Sequence, residues 1–248
     1  MRRYCFFLLI SILATSCSWN RTDPDTANLH LRLGNSYLAK GDNPRALKEL
    51  RRAAELNPNS EVILNNLGLA YYFRNKPLLA VEQIEKALKI NSDYSEARNN
   101  LARIYIDLGR HDEAIELLGK VLKDLTYTEP HKAWTNLGLA YFKKKQFATA
   151  SDKFLEAIKL QRQSCYAYNY YGRSLLEMKI YGKAEEALEK AIQLCRNVKF
   201  ADPHYFSGIN YYKMGSKSKA ITRFEELISL YPLSDKAKEA KNMINIIR

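Results

Sequence analysis

Leu67-Gly68-Leu69-Ala70-Tyr71 contains a leucine, a small residue and a tyrosine in an order that returns throughout the chain. Leu137-Gly138-Leu139-Ala140-Tyr141 reproduces all of it, and Leu33-Gly34-Asn35-Ser36-Tyr37 and Leu101-Ala102-Arg103-Ile104-Tyr105 follow the same pattern. Successive small residues at this place lie 34, 34, 36, 34 and 36 positions apart; they are Gly34, Gly68, Ala102, Gly138, Gly172 and Gly208. An internal period of this length predicts a stack of similar supersecondary units.

Two further positions of each unit keep their residue type. An alanine stands twelve residues after the small residue, at Ala46, Ala80, Ala114, Ala150, Ala184 and Ala220. A bulky apolar residue follows four positions later, at Leu50, Ile84, Leu118, Phe154, Leu188 and Phe224. Small residues at these places allow two antiparallel helices to approach closely, while tyrosine and leucine at helical spacing fill the seam. Each unit is therefore predicted to be a helical hairpin.

This pattern closely resembles the tetratricopeptide repeat (TPR), over about residues 27 to 234. The resemblance implies an all-α, right-handed α-solenoid of six helix hairpins. The predicted repeats are 27–60, 61–94, 95–130, 131–164, 165–200 and 201–234, with two-residue insertions before the fourth and the sixth. Apolar residues at Ala237, Ala240, Met243, Ile244 and Ile247 predict a C-terminal capping helix over 235–248, which would cover the last repeat.

The N-terminus has the layout of an export signal. Met1-Arg2-Arg3 is followed by an apolar run from Tyr4 to Ala14, which is shorter than the roughly 20 residues that cross a bilayer. Leu13-Ala14-Thr15-Ser16-Cys17 resembles a bacterial lipobox, which implies a signal peptide at 1–16, lipidation of Cys17 and a polar tether over 17–26. The serine after the cysteine resembles the sorting pattern of outer-membrane lipoproteins, and multiple acyl chains would anchor stably facing the periplasm. An ordinary cleaved signal with an incidental cysteine is the alternative.

Composition and motifs favour a binding protein over an enzyme. The formal charge is +12, or +10 once Arg2 and Arg3 are removed with the signal peptide, and a basic surface attracts nucleic acid, anionic lipid or acidic proteins. Export makes nucleic acid an improbable partner. The four histidines lie in different repeats, and no GxGxxG, Walker or HExxH motif is present. We therefore predict no enzymatic activity, cofactor, metal site or small-molecule substrate.

Cys165 and Cys195 fall at the open ends of the two antiparallel helices of the fifth repeat. The export compartment is oxidising, so a disulfide that clamps this hairpin is one hypothesis. Two separately packed thiols are the other.

The TPR resemblance also implies a binding surface. In this fold the first helix of each pair lines a concave groove that receives an extended protein segment, with amides for its backbone and apolar pockets for its side chains. The predicted partner-binding residues are Asn65, Leu69, Tyr72, Phe73, Asn99, Arg103, Thr135, Leu139, Phe142, Asn169, Arg173, Tyr205 and Tyr212. Arg103 and Arg173 are expected to meet carboxylates of the partner. Asn66, Asn100 and Asn136 match the repeat consensus and are assigned to the fold.

The combination of lipobox, six repeats and capping helix resembles the PilF/PilW/Tgl family of type IV pilus pilotins. The lengthened join from Asp124 to Pro130, leading into Trp134-Thr135-Asn136-Leu137-Gly138-Leu139, looks like the corresponding join of that family. The resemblance implies an outer-membrane lipoprotein that binds secretin subunits and promotes their delivery or assembly. Two alternatives stay open: a periplasmic TPR adaptor for another envelope-assembly or polysaccharide-export complex, and a soluble periplasmic protein that regulates an enzyme.

Overall fold

The computed structural model of this protein describes residues 23–248. The predicted signal peptide (1–16), the lipidation site Cys17 and most of the predicted tether lie outside the described residues. Within residues 23–248, no helix combines the length and the apolar character needed to cross a membrane.

The described chain consists of thirteen α-helices and contains no strand. They are α1 Pro24–Ala39, α2 Asn43–Leu56, α3 Glu61–Phe73, α4 Pro77–Ile90, α5 Ser95–Asp107, α6 His111–Val121, α7 Pro130–Lys143, α8 Phe147–Leu160, α9 Cys165–Glu177, α10 Tyr181–Leu194, α11 Asp202–Lys213, α12 Lys217–Leu230 and α13 Asp235–Ile247. The first twelve form six antiparallel pairs and α13 follows the last pair, which confirms the predicted all-α fold of stacked hairpins.

Small residues permit the close contact within each pair. A Cβ added to Gly68 would lie 2.5 Å from Cγ1 of Ile84, and one added to Gly138 would lie 2.8 Å from the ring of Phe154. Ile84 and Phe154 are fully buried. The sixteen-residue offset between the small and the bulky position thus joins the two helices of one hairpin, because each bulky side chain occupies the space that the glycine leaves empty.

The pairs stack in chain order. Each even-numbered helix packs against the next odd-numbered helix, and the odd-numbered helices also contact one another from α1 to α13. Among residues 23–248, no even-numbered helix contacts another even-numbered helix. The odd-numbered row is therefore the tighter one and lies on the inside of the curve. We call the surface of α1, α3, α5, α7, α9 and α11 the inner face.

The first helix begins earlier than the sequence predicted. Asp23 caps α1, since its carboxylate accepts a hydrogen bond from the Thr26 amide at 3.1 Å, and Pro24 occupies the first turn. Residues 24–26, which were predicted to belong to the tether, are helical. The Asp23 amide also donates to the Leu56 carbonyl at 3.1 Å, so the first described residue lies beside the end of α2.

The last helix closes the stack, as predicted. Ala237, Ala240, Ile244 and Ile247 of α13 are buried against α11 and α12. Ser234 begins this helix by accepting a hydrogen bond from the Ala237 amide at 3.1 Å.

Candidate protein-binding surface

All thirteen predicted groove residues lie on the odd-numbered helices, but the structure divides them by accessibility. Leu69, Tyr72, Phe73, Arg103, Thr135, Phe142, Arg173, Tyr205 and Tyr212 keep part of their surface exposed. Four are buried, with exposed fractions of 1% for Asn65, 3% for Asn99, 1% for Leu139 and 0% for Asn169. In this conformation the buried four pack between helices and do not line the open surface, contrary to the expectation that all thirteen would face a partner.

An amide ladder accounts for two of the buried asparagines. Asn100 donates from Nδ2 to Oδ1 of Asn65 at 3.0 Å, and Asn136 donates in the same way to Asn99 at 3.0 Å. These bonds link α3 to α5 and α5 to α7, so we call Asn65, Asn99, Asn100 and Asn136 the amide ladder. Buried amides need partners, and here each repeat supplies the acceptor for the next. The ladder serves the stacking of the repeats.

The ladder stops at the fifth repeat. Tyr170 stands where Asn66, Asn100 and Asn136 stand in the preceding repeats, and Phe206 stands there in the sixth. Asn169 is therefore left fully buried with neither Oδ1 nor Nδ2 hydrogen-bonded. An unpaired buried amide is costly, so Asn169 weakens the stack locally.

Two recesses open on the inner face beside Tyr72 and Phe73. One of about 260 Å³ is lined by Leu69, Tyr72, Phe73, Asn100, Arg103 and Ile104. The other, of about 540 Å³, is lined by Tyr72, Phe73, Asn75, Pro77, Asp107 and Leu108. Phe73 is 51% exposed between them, and no other phenylalanine of residues 23–248 is as exposed.

Polar groups in these recesses are held in position. The Tyr72 hydroxyl donates to the Asp107 carboxylate, and Arg103 Nε lies 3.5 Å from the same carboxylate. Burial and the hydrogen bond to Asp107 raise the pKa of Tyr72, so the phenol keeps its proton at neutral pH. A side chain that enters here meets an aromatic wall, a cation and an anion within one small area.

Further along the inner face, aromatic rings surround Arg173. The Arg173 Cζ atom lies 3.9 Å from the ring centroid of Phe206, 4.5 Å from that of Tyr170 and 5.1 Å from that of Phe142. Tyr166 adds a fourth ring, 4.8 Å from Tyr170. We call these five residues the aromatic cluster. Rings held this close to a guanidinium stabilise it by cation–π attraction.

Both arginines already have carboxylate partners in their own chain. Arg173 Nη1 lies 3.2 Å from Oδ2 of Asp202, and its side chain is only 17% exposed. Arg103 pairs with Asp107, and its Cζ lies 5.8 Å from the ring of Tyr166 on α9. In the free protein, therefore, both arginines are paired with carboxylates of the chain itself. Arg103 instead spans the inner face from the third repeat to the fifth.

The other partly exposed residues of the predicted groove also contact residues of their own chain. The Thr135 hydroxyl donates to the His131 carbonyl of its own helix at 2.8 Å. Tyr205 lies under Lys236 of α13, 4.5 Å from Nζ to the ring centroid, and burial with Glu239 nearby raises its pKa to about 12. Tyr212 is half-buried against the C-terminal core.

Cys165 and Cys195 form a disulfide, with their Cα atoms 5.3 Å apart. The bond joins the start of α9 to the end of α10 and so closes the open end of the fifth hairpin. Tyr166 follows Cys165 directly and stacks on Phe200 with ring centroids 5.9 Å apart. The disulfide thus lies beside the aromatic cluster.

The described residues hold no group of three or more potential metal ligands. His204 on α11 is buried, and burial, reinforced by the charge of Arg223, lowers its pKa to about 4. It is therefore neutral at physiological pH, and its ring packs 5.8 Å from that of Tyr231 within the last repeat.

Sequence reasoning missed several residues of this surface. Asp107 and Asp202 pair with the predicted arginines, while Tyr170 and Phe206 complete the aromatic cluster. Tyr170 and Phe206 carried a usable signal, since both replace the consensus asparagine. Asp107 also carried a signal, because it follows Arg103 by four positions on the same helix. Asp202 carried none, because its pairing with Arg173 depends on how neighbouring repeats are rotated.

Family models match four segments of the chain. Residues 34–72 match a TPR repeat model, and residues 74–126, 131–164 and 207–234 match tetratricopeptide repeat models. Among curated proteins, the chain is 29% identical over 138 residues to the type IV pilus assembly protein PilF of Pseudomonas aeruginosa. That match covers 56% of this chain and 55% of PilF, so it spans about half the length of the curated relative.

Solved structures show the same fold. The PilF structure from Pseudomonas aeruginosa superposes with a TM-score of 0.73 at 24% identity, covering 88% of this chain and 98% of that one. The structure of PilW, described as a widely conserved type IV pilus biogenesis factor, superposes with a TM-score of 0.78 at 23% identity, covering 86% of this chain and 97% of that one. From the repeat period, the stacked hairpins and these matches, we conclude that the chain belongs to the tetratricopeptide-repeat proteins.

Proposed function

We propose that this protein is a non-catalytic, lipid-anchored TPR scaffold of type IV pilus biogenesis that binds a protein partner on its inner face. The partner we propose is a secretin subunit, and the location is the periplasmic side of the outer membrane. The observation that carries the proposal is the pair of open recesses around Phe73, on a fold that is similar to PilF and PilW over most of its length.

The recesses have the chemistry of a peptide-binding surface. Phe73 and Leu69 offer apolar contact, and partly exposed aromatic residues often carry much of the energy of an interface. Asp107 and Arg103 stand 3.5 Å apart at the rim, where they can pair with a charged residue of either sign. The C-terminal part of the inner face is filled by its own aromatic rings, so we place the binding segment between α3 and α5.

The proposed anchor would assist binding without any added contact. Acyl chains on Cys17 would hold the scaffold at the bilayer into which its client inserts. Because both proteins are then confined to the same thin layer, the effective concentration of each for the other is raised. Multiple acyl chains make such anchoring stable.

The proposal is tested in the source bacterium by deleting the gene and probing for secretin multimers. We expect multimers to be lost, to return with the wild-type gene, and to remain absent with Leu69→Ser/Phe73→Ser. Leu78→Ser is the matched control, since Leu78 is 75% exposed but lies on α4, outside the inner face. Normal multimers in the deletion strain would reject the secretin role and favour an adaptor for another envelope complex.

The anchor is tested separately. Mass spectrometry of the mature protein should show acyl chains on Cys17, and Cys17→Ser should release the protein from the membrane fraction. An unmodified Cys17 would reject the lipoprotein assignment and leave the binding surface unaffected.

A further inference from the structure

A basic patch lies at the turn end of the last three hairpins, on repeats that do not line the two recesses. Residues 143–147, 177–181 and 213–217 comprise the turns from α7 to α8, from α9 to α10 and from α11 to α12, with the helix residue on each side. Together these turns contain six lysines and a single acidic residue, Glu177. We call the following set the turn patch: Lys143, Lys145, Lys179 and Lys213, with Met178 and Ile180.

The charges of the turn patch are uncompensated. Lys143, Lys145, Lys179 and Lys213 are exposed, and within residues 23–248 none of them forms an ion pair. Lys144 differs, because it pairs with Asp112 of the preceding repeat. Met178 and Ile180 are 36% and 39% exposed among these lysines. Exposed apolar side chains among charges that are mostly positive are a surface suited to a partner of opposite charge.

Two of the lysines occupy backbone positions that favour glycine. Lys145 has a φ of 60° and Lys179 a φ of 62°, whereas Gly41, Gly109 and Gly215 hold the same place in other hairpins. A residue with a Cβ is less stable than glycine in this left-handed conformation. Lysine thus occupies two turn positions where glycine would have less backbone strain, and both turns belong to the turn patch.

If the protein is anchored at Cys17, as proposed above, the short reach of the tether argues against a lipid surface as the ligand of the turn patch. Asp23 lies beside Leu56, at the opposite end of the hairpins from the turns. Six residues lead from Cys17 to Asp23 and span at most about 20 Å. The helix α1 has 16 residues and is about 24 Å long, so even a fully stretched tether falls short of the turn end of the first hairpin.

We propose that the turn patch is a second docking surface, which binds an acidic segment of a partner protein that also carries apolar residues. The lysines would steer the segment and set its register, and Met178 and Ile180 would contact its apolar side chains. Because the patch lies on the fourth to sixth repeats and the recesses are lined by the second and third, a client held in the recesses and an acidic segment on the turns could be bound together.

The test uses the mature chain with its disulfide intact and a fluorescently labelled peptide of repeated Glu-Glu-Leu units. The patch variant combines four substitutions. Lys145→Gly and Lys179→Gly remove charge and relieve the strain of the left-handed backbone, so they do not threaten folding. Lys143→Gln and Lys213→Gln remove the other two charges. We expect the patch variant to weaken peptide binding about tenfold in a fluorescence anisotropy titration, since each exposed pair adds only a modest factor.

The matched control removes four exposed lysines elsewhere, as Lys89→Gln, Lys123→Gln, Lys190→Gln and Lys241→Gln. Peptide affinity should stay within about twofold in this variant, because net charge alone acts weakly through solvent. An equal loss in both variants would overturn the proposal. So would patch-dependent binding to phosphatidylglycerol vesicles without patch-dependent binding to the peptide. Neither readout involves the secretin or the recesses, so failure here is distinct from failure of the proposed function.

Discussion

The two parts of the inner face use the same repeat positions in different ways. Between α3 and α7, consecutive asparagines form the amide ladder, and open recesses remain beside it. Between α7 and α11, tyrosine and phenylalanine take the asparagine position, and the aromatic cluster closes around Arg173. One change of residue type within a repeat thus converts an accessible surface into a filled one. Membership of the inner helices therefore does not by itself make a position accessible to a partner.

Loss of the disulfide should have the largest effect and should act on the aromatic part. Cys165→Ser/Cys195→Ser opens a loop with a sequence separation of 30, and the chain-entropy relation gives a loss of about 3 to 4 kcal/mol in unfolding free energy. Hydrogen exchange should rise in α9 and α10 and stay unchanged in α3, because no helix of the second repeat contacts the fifth. Equal exchange throughout would contradict the division of the inner face into two parts.

Acidification should also weaken the C-terminal part first. His204 has a pKa of about 4 in the fold against an ordinary 6.5, so the unfolded chain binds the proton more readily and stability falls as the pH drops from 6.5 to 4. The loss attributable to this residue is roughly 2 to 3 kcal/mol. Denaturant titrations at pH 7 and pH 4 measure it, and His204→Phe should remove most of the difference. An unchanged pH dependence in that variant would show that His204 is not responsible.

Breaking the amide ladder should cost less. Asn99→Leu removes the acceptor of Asn136 and leaves its buried amide unpaired, which we expect to lower the unfolding free energy by about 1 to 3 kcal/mol. Thermal and denaturant unfolding both report this change. A stability equal to that of the wild type would mean that Asn136 finds water instead.

The equivalent change in the fifth repeat should have the smallest effect and the opposite sign. Asn169 is as buried as Asn99 but lacks any hydrogen bond, so Asn169→Leu replaces an unpaired amide by an apolar group of similar volume. We expect a gain of less than about 1 kcal/mol. A loss as large as that of Asn99→Leu would show that Asn169 has a partner after all, and the two variants together measure the difference between the two parts.

Sequence reasoning predicted the fold well because the repeat depends on local geometry. The offset from Gly68 to Ile84, or from Gly138 to Phe154, specifies which side chains meet inside one hairpin, and the structure has them in contact. The accessible surface was predicted less well, because exposure depends on the neighbouring repeat. Leu139 and Asn169 face inward at groove positions, yet the adjacent helices bury them completely or almost so.

The measurement that tests the account most directly is photo-crosslinking in the source bacterium. Phe73→p-benzoylphenylalanine places a reactive group between the two recesses, and the same change at Phe206 places it in the aromatic cluster. We predict a crosslinked product with the secretin from position 73 and none from position 206. A product from position 206 alone, or no protein product from position 73, would contradict the claim that the open part of the inner face is where this scaffold holds its partner.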